Sequence, residues 1–290
     1  MLPAFGAQLD FAWPIDLRMT VAGHGWAYLA PWQWDAASGV LSRPERIGAT
    51  SGTVAVSQHE PGALAVNIDG FGAADTVVLL ARVRRWVSAE WDPAPAIAAL
   101  AGELANEAAL IARGGGRLLR CSSFYEDFVK TVLTINTTWS STERMSAALV
   151  AEPGGGAFPT PEAIVDYGEA RLRERAKLGF RAPTLATATR RMLDDGAIDA
   201  AGDGSAERLD HDYLTSLKGI GPYAAAHCRM LLHDFSRLPV DSVVTTYVRE
   251  TYGQEPAEFL AGRAATGVYL ALGYRLTRLR EKFARGEVGY

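Results

Sequence analysis

The N-terminal third of the chain contains short apolar segments separated by glycines and polar residues. Residues 15–21 alternate between apolar and polar positions, and residues 53–56 and 63–66 form short strand-like runs. Alternation with a period of two, and short apolar runs bounded by turn residues, are typical of β-strands. The pattern therefore predicts an antiparallel sheet within residues 11–69.

After the predicted sheet, apolar residues recur at intervals of three and four. This spacing predicts a helix over residues 74–87, and Asp92 and Pro93 resemble the cap and first turn of another helix that ends near Arg113. The same spacing predicts later helices over residues 124–135, 140–150 and 242–251. Ser122 or Ser123 is expected to cap the first of these.

These elements predict an α+β fold with two domains. Residues 1–92 are expected to form an N-terminal antiparallel sheet domain with a covering helix. Residues 93–290 are expected to form a mostly α-helical body. A chain of 290 residues is long enough to build a sizeable core in each domain.

The composition is that of an ordinary soluble globular protein, with 48% hydrophobic and 21% charged residues. No long uncharged apolar stretch and no signal peptide are recognisable, so we expect a cytoplasmic protein that does not enter a membrane. We expect it to be a monomer.

The formal net charge is −4, which argues against indiscriminate nucleic-acid binding because such proteins are usually strongly basic. Basic residues are nevertheless clustered near the C-terminus. Such a cluster can contact phosphates, although a solvated helix face is the more common interpretation. The C-terminal cluster contains Arg275, Arg278, Arg280, Lys282 and Arg285.

The cysteine content limits the possible cofactors. Cys121 and Cys228 are the only cysteines, so they cannot supply the four thiolates of an iron–sulfur cluster. No Cys and His spacing suggests zinc. We therefore expect no iron–sulfur or zinc cofactor.

The most informative segment has two glycines flanking one apolar residue, with a helical pattern on either side. Gly219, Ile220 and Gly221 are followed by Pro222, which suits the first turn of a helix. Both glycines suit a tight turn because glycine tolerates positive φ, and without side chains they let an anion approach the backbone. Exposed amides and the positive end of the next helix then favour one phosphate. The segment over about residues 209–232 is therefore predicted to be a phosphate-binding helical hairpin.

A second segment, residues 239–251, begins with Pro239, Val240 and Asp241 and continues into a predicted helix. An aspartate is a good N-cap, a role that contributes about 1 kcal/mol of stability. A fixed carboxylate can also stabilise a positively charged sugar and can orient or deprotonate a water molecule. Both roles are compatible at Asp241.

The hairpin and the Pro-Val-Asp segment together resemble those of the helix-hairpin-helix (HhH-GPD) DNA glycosylases. The similarity is greatest to the branch of 3-methyladenine glycosylase II and 8-oxoguanine glycosylase, which lacks an iron–sulfur cluster. Recognisable motifs cover about residues 120–253, and the remainder is similar only in the order of its elements. The resemblance implies a helical body with a central cleft and Asp241 as the catalytic residue.

The resemblance also implies roles for residues around the hairpin. Asn136 is expected to intercalate or contact a strand, and Tyr223 and Trp139 to line a pocket for the base. Packing between helices is the alternative role of both aromatic residues. The expected DNA contacts are Asn136, Lys218, Gly219, Ile220, Gly221 and Tyr223. The backbone carbonyls of Thr215, Leu217 and Ile220 would hold a structural Na⁺ or K⁺.

The implied activity is hydrolysis of the N-glycosidic bond of a damaged purine, most naturally an alkylated one, in double-stranded DNA during base excision repair. Family members that also cut the strand have a lysine where Tyr223 stands, and a tyrosine cannot form a Schiff base. A glycosylase without lyase activity is therefore expected. The alternatives are a non-catalytic hairpin protein that binds DNA and a glycosylase for oxidised or deaminated bases.

Overall fold

A computed structural model describes residues 5–287 of the chain. Five strands form one antiparallel sheet in the order β1-β5-β4-β3-β2, which confirms the predicted sheet. The strands are β1 (Phe5–Asp10), β2 (Gln33–Asp35), β3 (Val40–Ile47), β4 (Thr50–Glu60) and β5 (Ala63–Asp69). The register places Leu41, Val56 and Val66 side by side, and all three are buried. One face of the sheet therefore carries the core.

Thirteen α-helices lie within the described residues, and together with the sheet they confirm the α+β class. The first four are α1 (Leu17–Gly23), α2 (Ala73–Trp86), α3 (Ala94–Leu100) and α4 (Ala105–Ala112). The next six are α5 (Phe124–Thr134), α6 (Trp139–Ala151), α7 (Pro161–Glu174), α8 (Arg181–Asp194), α9 (His211–Ser216) and α10 (Pro222–Leu231). The last three are α11 (Ser242–Tyr252), α12 (Pro256–Ala261) and α13 (Leu270–Ala284). No helix within residues 5–287 has both the length and the apolar character needed to cross a membrane.

The strand expected over residues 15–21 is wrong, because Leu17–Gly23 forms helix α1. Asp16 caps this helix by accepting a 2.8 Å hydrogen bond from the Met19 amide. A side-chain cap favours the first helical turn, and over so few residues the alternating pattern does not outweigh it. The apolar residues of the segment are buried, but as part of a helix and not of a strand.

The single helix expected to run from Asp92 to about Arg113 is also wrong, because the segment contains two helices, α3 and α4. The chain turns between them at residues 101–103. Gly102 lies in this turn, and glycine is a poor helix former because it loses much backbone entropy on folding. The predicted helices over residues 74–87, 124–135, 140–150 and 242–251 match α2, α5, α6 and α11 to within a few residues.

The buried apolar residues form two clusters. One combines the sheet and α1–α4 with residues of the C-terminal part such as Val248 and Leu276. The other lies within residues 124–228. This division of the core differs from the predicted boundary at residue 92, because the chain leaves the first cluster and returns to it. The domain boundary itself stays a prediction.

A buried ion network connects the sheet to the helical body. Glu126 of α5 accepts a hydrogen bond of 2.8 Å from Arg43 Nη2 of β3 and lies 2.9 Å from Lys130 Nζ. All three side chains are almost completely buried. A buried carboxylate between two cations satisfies charges that would otherwise be costly.

Candidate active site

The predicted hairpin is present as α9, a tight turn and α10. Gly219 has φ +89°, and a Cβ there would lie 2.5 Å from Oγ1 of Thr184. Gly221 has φ −94° and is the N-cap of α10, so only Gly219 uses glycine's tolerance of positive φ. A Cβ on Gly221 would meet no atom within 4 Å. The turn therefore needs glycine at 219 for its own conformation, whereas Gly221 leaves free space above the backbone.

Asp241 caps helix α11 in the predicted manner. Its Oδ1 accepts a 2.8 Å hydrogen bond from the Val244 amide. Its second oxygen, Oδ2, accepts no hydrogen bond from any residue within 5–287. The side chain is half-buried. One carboxylate oxygen thus fixes the helix start, and the other is available to a ligand.

Two adjoining depressions meet at Asp241. The first, the α13 cavity, has a volume of about 250 Å³ and lies between the segment 22–26, α10, the start of α11 and α13. The second, the hairpin groove, has a volume of about 470 Å³ and is bordered by residues 134–139, the hairpin glycines and the start of α11. Thr134, Trp139, Tyr223, Asp241 and Val243 line both.

Most of the predicted site residues come together around these two depressions. Asn136 lines the hairpin groove, is exposed and has φ +46°, and its carbonyl accepts a hydrogen bond from Arg181. Trp139 is 43% exposed, so the alternative of burial between helices is wrong for this residue. Tyr223 is half-buried, and its hydroxyl lies 3.3 Å from the Thr134 hydroxyl. A contact of these residues with DNA stays a prediction.

Two hairpin residues lie outside the depressions. Lys218 is exposed and lines neither of them, and Ile220 is 5% exposed and packs in the second apolar cluster. Any contact of Ile220 with DNA or a cation would therefore involve its backbone. The Leu217 carbonyl accepts a 3.0 Å hydrogen bond from the Ile220 amide.

Two histidines behind Tyr223 form a buried pair. His227 stacks on Tyr223 with ring centres 6.0 Å apart, and its Nε2 lies 3.0 Å from Nε2 of His24. Because Nδ1 of His24 lies 3.1 Å from the Leu119 carbonyl, that nitrogen must carry a proton. Nε2 of neutral His24 then accepts from Nε2–H of His227. The spacing of four between Tyr223 and His227 indicated their shared face, whereas nothing in the sequence indicated His24.

Burial keeps both histidines neutral. It lowers the pKa of His24 well below its usual value, and burial together with the positive charge of Arg275 lowers the pKa of His227 to about 3. A neutral hydrogen-bonded pair of histidines can be buried at little cost, whereas two imidazolium groups in contact would repel each other and lose their hydration. The histidines therefore add no charge to the cavity at neutral pH.

Helix α13 contributes a basic face to the α13 cavity, formed by three residues of the C-terminal basic cluster. Arg275, Arg278 and Lys282 all line the α13 cavity, and their spacing of three and four places them on one side of the helix. For these three residues, the interpretation of the C-terminal cluster as a solvated helix face is wrong. Arg275 donates to the Gly23 carbonyl, while its Nε is buried without a hydrogen-bond partner. Burial lowers the pKa of Arg275 from its usual value.

No known family model matches the sequence, and no curated protein sequence matches it. Solved structures do match. A 3-methyladenine DNA glycosylase from Archaeoglobus fulgidus superposes with a TM-score of 0.70 at 17% identity, covering 96% of this chain and 99% of the other. MBOgg1, solved in complex with a low-affinity DNA ligand, gives a TM-score of 0.69 at 19% identity over 96% of both chains. The chain has the fold of the helix-hairpin-helix DNA glycosylases.

A third structure with this glycosylase fold is the 8-oxoguanine glycosylase/lyase of Clostridium acetobutylicum. It gives a TM-score of 0.68 at 15% identity and covers 93% of this chain and 99% of the other. The sheet, the hairpin and the helices that surround Asp241 are therefore parts of one shared architecture. At these identities the likeness concerns the fold alone.

Within residues 5–287, no three His, Cys, Asp or Glu side chains are grouped in a way that could hold a metal. Cys121 and Cys228 are buried and free, and they belong to different apolar clusters. The cation that the carbonyls of Thr215, Leu217 and Ile220 were expected to hold stays a prediction.

Proposed function

We propose that this protein is a DNA glycosylase that removes a damaged base from double-stranded DNA by hydrolysis. The observation that carries the proposal is the position of Asp241, between a cavity and a groove bordered by the hairpin glycines. A carboxylate in this position can face the sugar while the base and the phosphate occupy the two sides. The glycosylase fold supports the same conclusion.

The α13 cavity suits a single flipped base. Its volume of about 250 Å³ lies just below the range of about 300 to 1,000 Å³ that is typical of small-molecule pockets. Tyr223 and Trp139 supply aromatic surfaces on which a planar base can stack. Rotation of a nucleotide out of the duplex costs a few kcal/mol, and stacking in the cavity would offset part of that cost.

The hairpin groove suits the DNA backbone. Gly221 leaves free space at the start of α10, where exposed amides and the helix dipole favour an anion. Asn136 also lines the groove, exposed and in a left-handed conformation. We infer that the phosphate is held at the hairpin and that Asn136 contacts the strand or the vacated position.

The hydrolysis requires a base to leave and a water molecule to attack the sugar. The sugar acquires oxocarbenium character as the bond breaks, and the negative charge of Asp241 stabilises it. Because Oδ2 has no partner among the described residues, it can accept a proton or a hydrogen bond from the attacking water. Oδ1 meanwhile holds the carboxylate in place through Val244.

We further propose that the enzyme has no lyase activity, because Tyr223 cannot form a Schiff base with the sugar. Lys282 is the single lysine that lines the α13 cavity within the described residues. Covalent trapping of the protein on damaged DNA by borohydride would contradict hydrolysis. If Lys282→Gln then abolished the trapping, the amine of Lys282 would be the nucleophile.

The sequence resemblance favours an alkylated purine as the substrate, and aromatic walls suit such a base. Oxidised or deaminated bases are the second candidate, and the three basic side chains that line the cavity favour them. A non-catalytic DNA-binding protein is the competing class of function. It would bind DNA through the hairpin without releasing a base.

The substitution Asp241→Asn tests the proposal. Asparagine caps a helix about as well as aspartate, so the melting temperature is expected to change by only about 1–2 °C. Base release from damaged oligonucleotides, measured as alkali-sensitive abasic sites in single turnovers, is expected to fall at least about 100-fold because the charge beside the sugar is lost.

Asp241→Ala provides the matched comparison, because it removes both the charge and the cap. It is expected to lose about 1 kcal/mol of stability in addition to activity. Undiminished base release by Asp241→Asn would exclude the proposed mechanism. DNA binding by the wild-type protein without release of any base would favour the non-catalytic class.

A further inference from the structure

The α13 cavity contains more positive than negative charge. Arg275, Arg278 and Lys282 line it, and Asp241 is its one carboxylate within the described residues. Its other titratable groups are His24 and His227, both neutral, and the side chains of Tyr223 and Tyr274. The side chains that line this cavity therefore carry an excess of two positive charges.

These basic groups are only partly compensated by the protein. Within residues 5–287, no carboxylate lies within 4.0 Å of Arg275 or Lys282. Arg278 lies over the Tyr247 ring at 3.8 Å and is 4.0 Å from Glu281. A buried guanidinium that lacks a carboxylate partner is costly, and a ligand that accepts its hydrogen bonds would offset part of that cost.

Arg275 is one of the three basic residues that a base in the cavity can meet. It uses one N–H for the Gly23 carbonyl, and its Nε is buried without a partner. It lies on the face of α13 that borders the same cavity as Asp241 and Tyr223. A guanidinium has five N–H donors in a fixed plane, so it pairs readily with carbonyl oxygens and ring nitrogens at the edge of a planar base.

The charge of the base decides which substrates this cavity favours, both while the base is still attached to the sugar and as it departs. An alkylated purine such as 7-methylguanine is cationic before cleavage and leaves as a neutral molecule. Three basic side chains would repel its ground state and would offer no help to its departure. A neutral base departs with negative charge, and a nearby cation stabilises that charge as it develops.

We propose that the α13 cavity selects neutral bases with ring carbonyl oxygens, the oxidised or deaminated class, and that Arg275 stabilises the negative charge on the departing base. This inference rests on the proposed glycosylase function and narrows its substrate class. It gives the basic face of α13 a role in leaving-group chemistry.

The step balances as a hydrolysis. The bond between C1′ and the base nitrogen breaks, and its electron pair stays on the base, where Arg275 donates hydrogen bonds to the resulting anion. Water adds to C1′ and transfers a proton to Asp241. The base anion takes up a proton from solvent or from the protonated Asp241, so that free base and an abasic sugar are the products.

The experiment measures single-turnover base release from two sets of oligonucleotide duplexes. One set contains a neutral carbonyl base, with 8-oxoguanine and hypoxanthine as probes, and the other contains 7-methylguanine. The wild-type protein is expected to release at least one neutral base about 10-fold faster than 7-methylguanine. Arg275→Gln is expected to slow release of that neutral base at least about 10-fold, or about 1.4 kcal/mol of transition-state stabilisation. Release of 7-methylguanine is expected to stay unchanged or to rise.

The ratio of the two rates separates a role with the base from a structural role, because partial unfolding of Arg275→Gln would lower both rates equally. Arg275→Lys keeps the charge and is expected to recover part of the rate on the neutral base. Arg280→Gln is the matched control from the same helix, since Arg280 does not line the cavity and pairs with Glu107. It is expected to leave the ratio unchanged.

The outcomes distinguish this inference from the proposed function. Faster release of 7-methylguanine than of any neutral base, or an equal loss on both substrates in Arg275→Gln, would overturn the inference and leave the glycosylase function intact. Failure to release any base from any duplex would overturn both.

Discussion

At the scale of single residues, Asp241 and His24 mark what local sequence can and cannot indicate. The position of Asp241 followed from its neighbours, because an aspartate before a helical pattern predicts a cap, and the cap is observed. His24 pairs with His227 across 203 positions of sequence, and no local pattern encodes such a distant contact. For the same reason, the sequence did not indicate that Arg275 lines a cavity together with Asp241.

The His24–His227 pair predicts a dependence of stability on pH. The pKa of His227 is about 3 in the folded protein, below the value of about 6.5 for an exposed histidine. The stabilisation that follows from this difference is complete above pH 6.5 and is lost as the pH falls towards 3, because the unfolded chain binds the proton first. His227→Gln is expected to reduce the slope of unfolding free energy in this range by up to about 1.4 kcal/mol per pH unit.

Urea denaturation of both proteins between pH 7 and pH 4 measures this slope. His59→Gln is the control, because His59 is exposed on β4 and should leave the profile unchanged. Parallel profiles for the wild type and His227→Gln would show that His227 is not protected from protonation.

At the scale of elements, the longer helices were predictable and the short ones were not. Helix α5 has apolar residues at helical spacing and a serine cap, so its pattern and its capping agree. Residues 15–21 span so few positions that alternation and a capped helix are both compatible with them, and the capped helix formed. The turn at residues 101–103 shows the same limit, since one glycine was enough to divide a predicted helix.

The two hairpin glycines are expected to respond differently to alanine. Gly219→Ala places a side chain at φ +89° and close to Thr184, so it should cost about 1–3 kcal/mol of stability. Gly221→Ala meets no atom within 4 Å and has an ordinary φ, so it should cost less than about 1 kcal/mol. Its methyl group would nevertheless stand where the phosphate is proposed to approach, and DNA affinity should fall several-fold.

Thermal unfolding and fluorescence anisotropy with a labelled duplex separate the two effects. A Gly221→Ala variant that binds the duplex as tightly as the wild type would place the phosphate elsewhere on the protein.

At the scale of the whole molecule, the α13 cavity and the hairpin groove lie where the first and second apolar clusters meet. The sequence predicted a sheet followed by a helical body, and both are present. The sequence could not predict that the C-terminal part joins the same apolar cluster as the sheet. The hydrophobic pattern of a helix indicates which face is buried, but it does not indicate which element covers that face. The basic wall of the α13 cavity depends on this packing.

Within the ion network that connects the sheet to the helical body, Glu126 is expected to be the residue whose substitution costs the most stability. Burial raises its pKa, but Arg43 and Lys130 outweigh this effect and hold the pKa at about 2. Its stabilising contribution is present above about pH 4.5 and is lost as the pH falls towards 2. At pH 7, Glu126→Gln should cost about 3–5 kcal/mol, because it leaves the buried Lys130 without a carboxylate and leaves Arg43 with Glu45 alone.

Chemical denaturation at pH 7 measures this loss, with Glu169→Gln as control. Glu169 forms an exposed ion pair with Arg173, which should contribute less than about 1 kcal/mol. Equal losses of stability in Glu126→Gln and Glu169→Gln would show that the buried network does not stabilise the packing of the sheet against the helical body.

The return of α13 to the first apolar cluster has a consequence for biosynthesis. Helices α1 and α4 are translated early, yet Leu272, Leu276 and Leu279 of α13, which packs against both helices, emerge from the ribosome about 160 or more residues after α4. The intervening segment 124–228 has its own cluster and can collapse first. Helices α1 and α4 must therefore remain with part of their apolar surface uncovered until α13 docks, and a chaperone can bind that surface in the meantime.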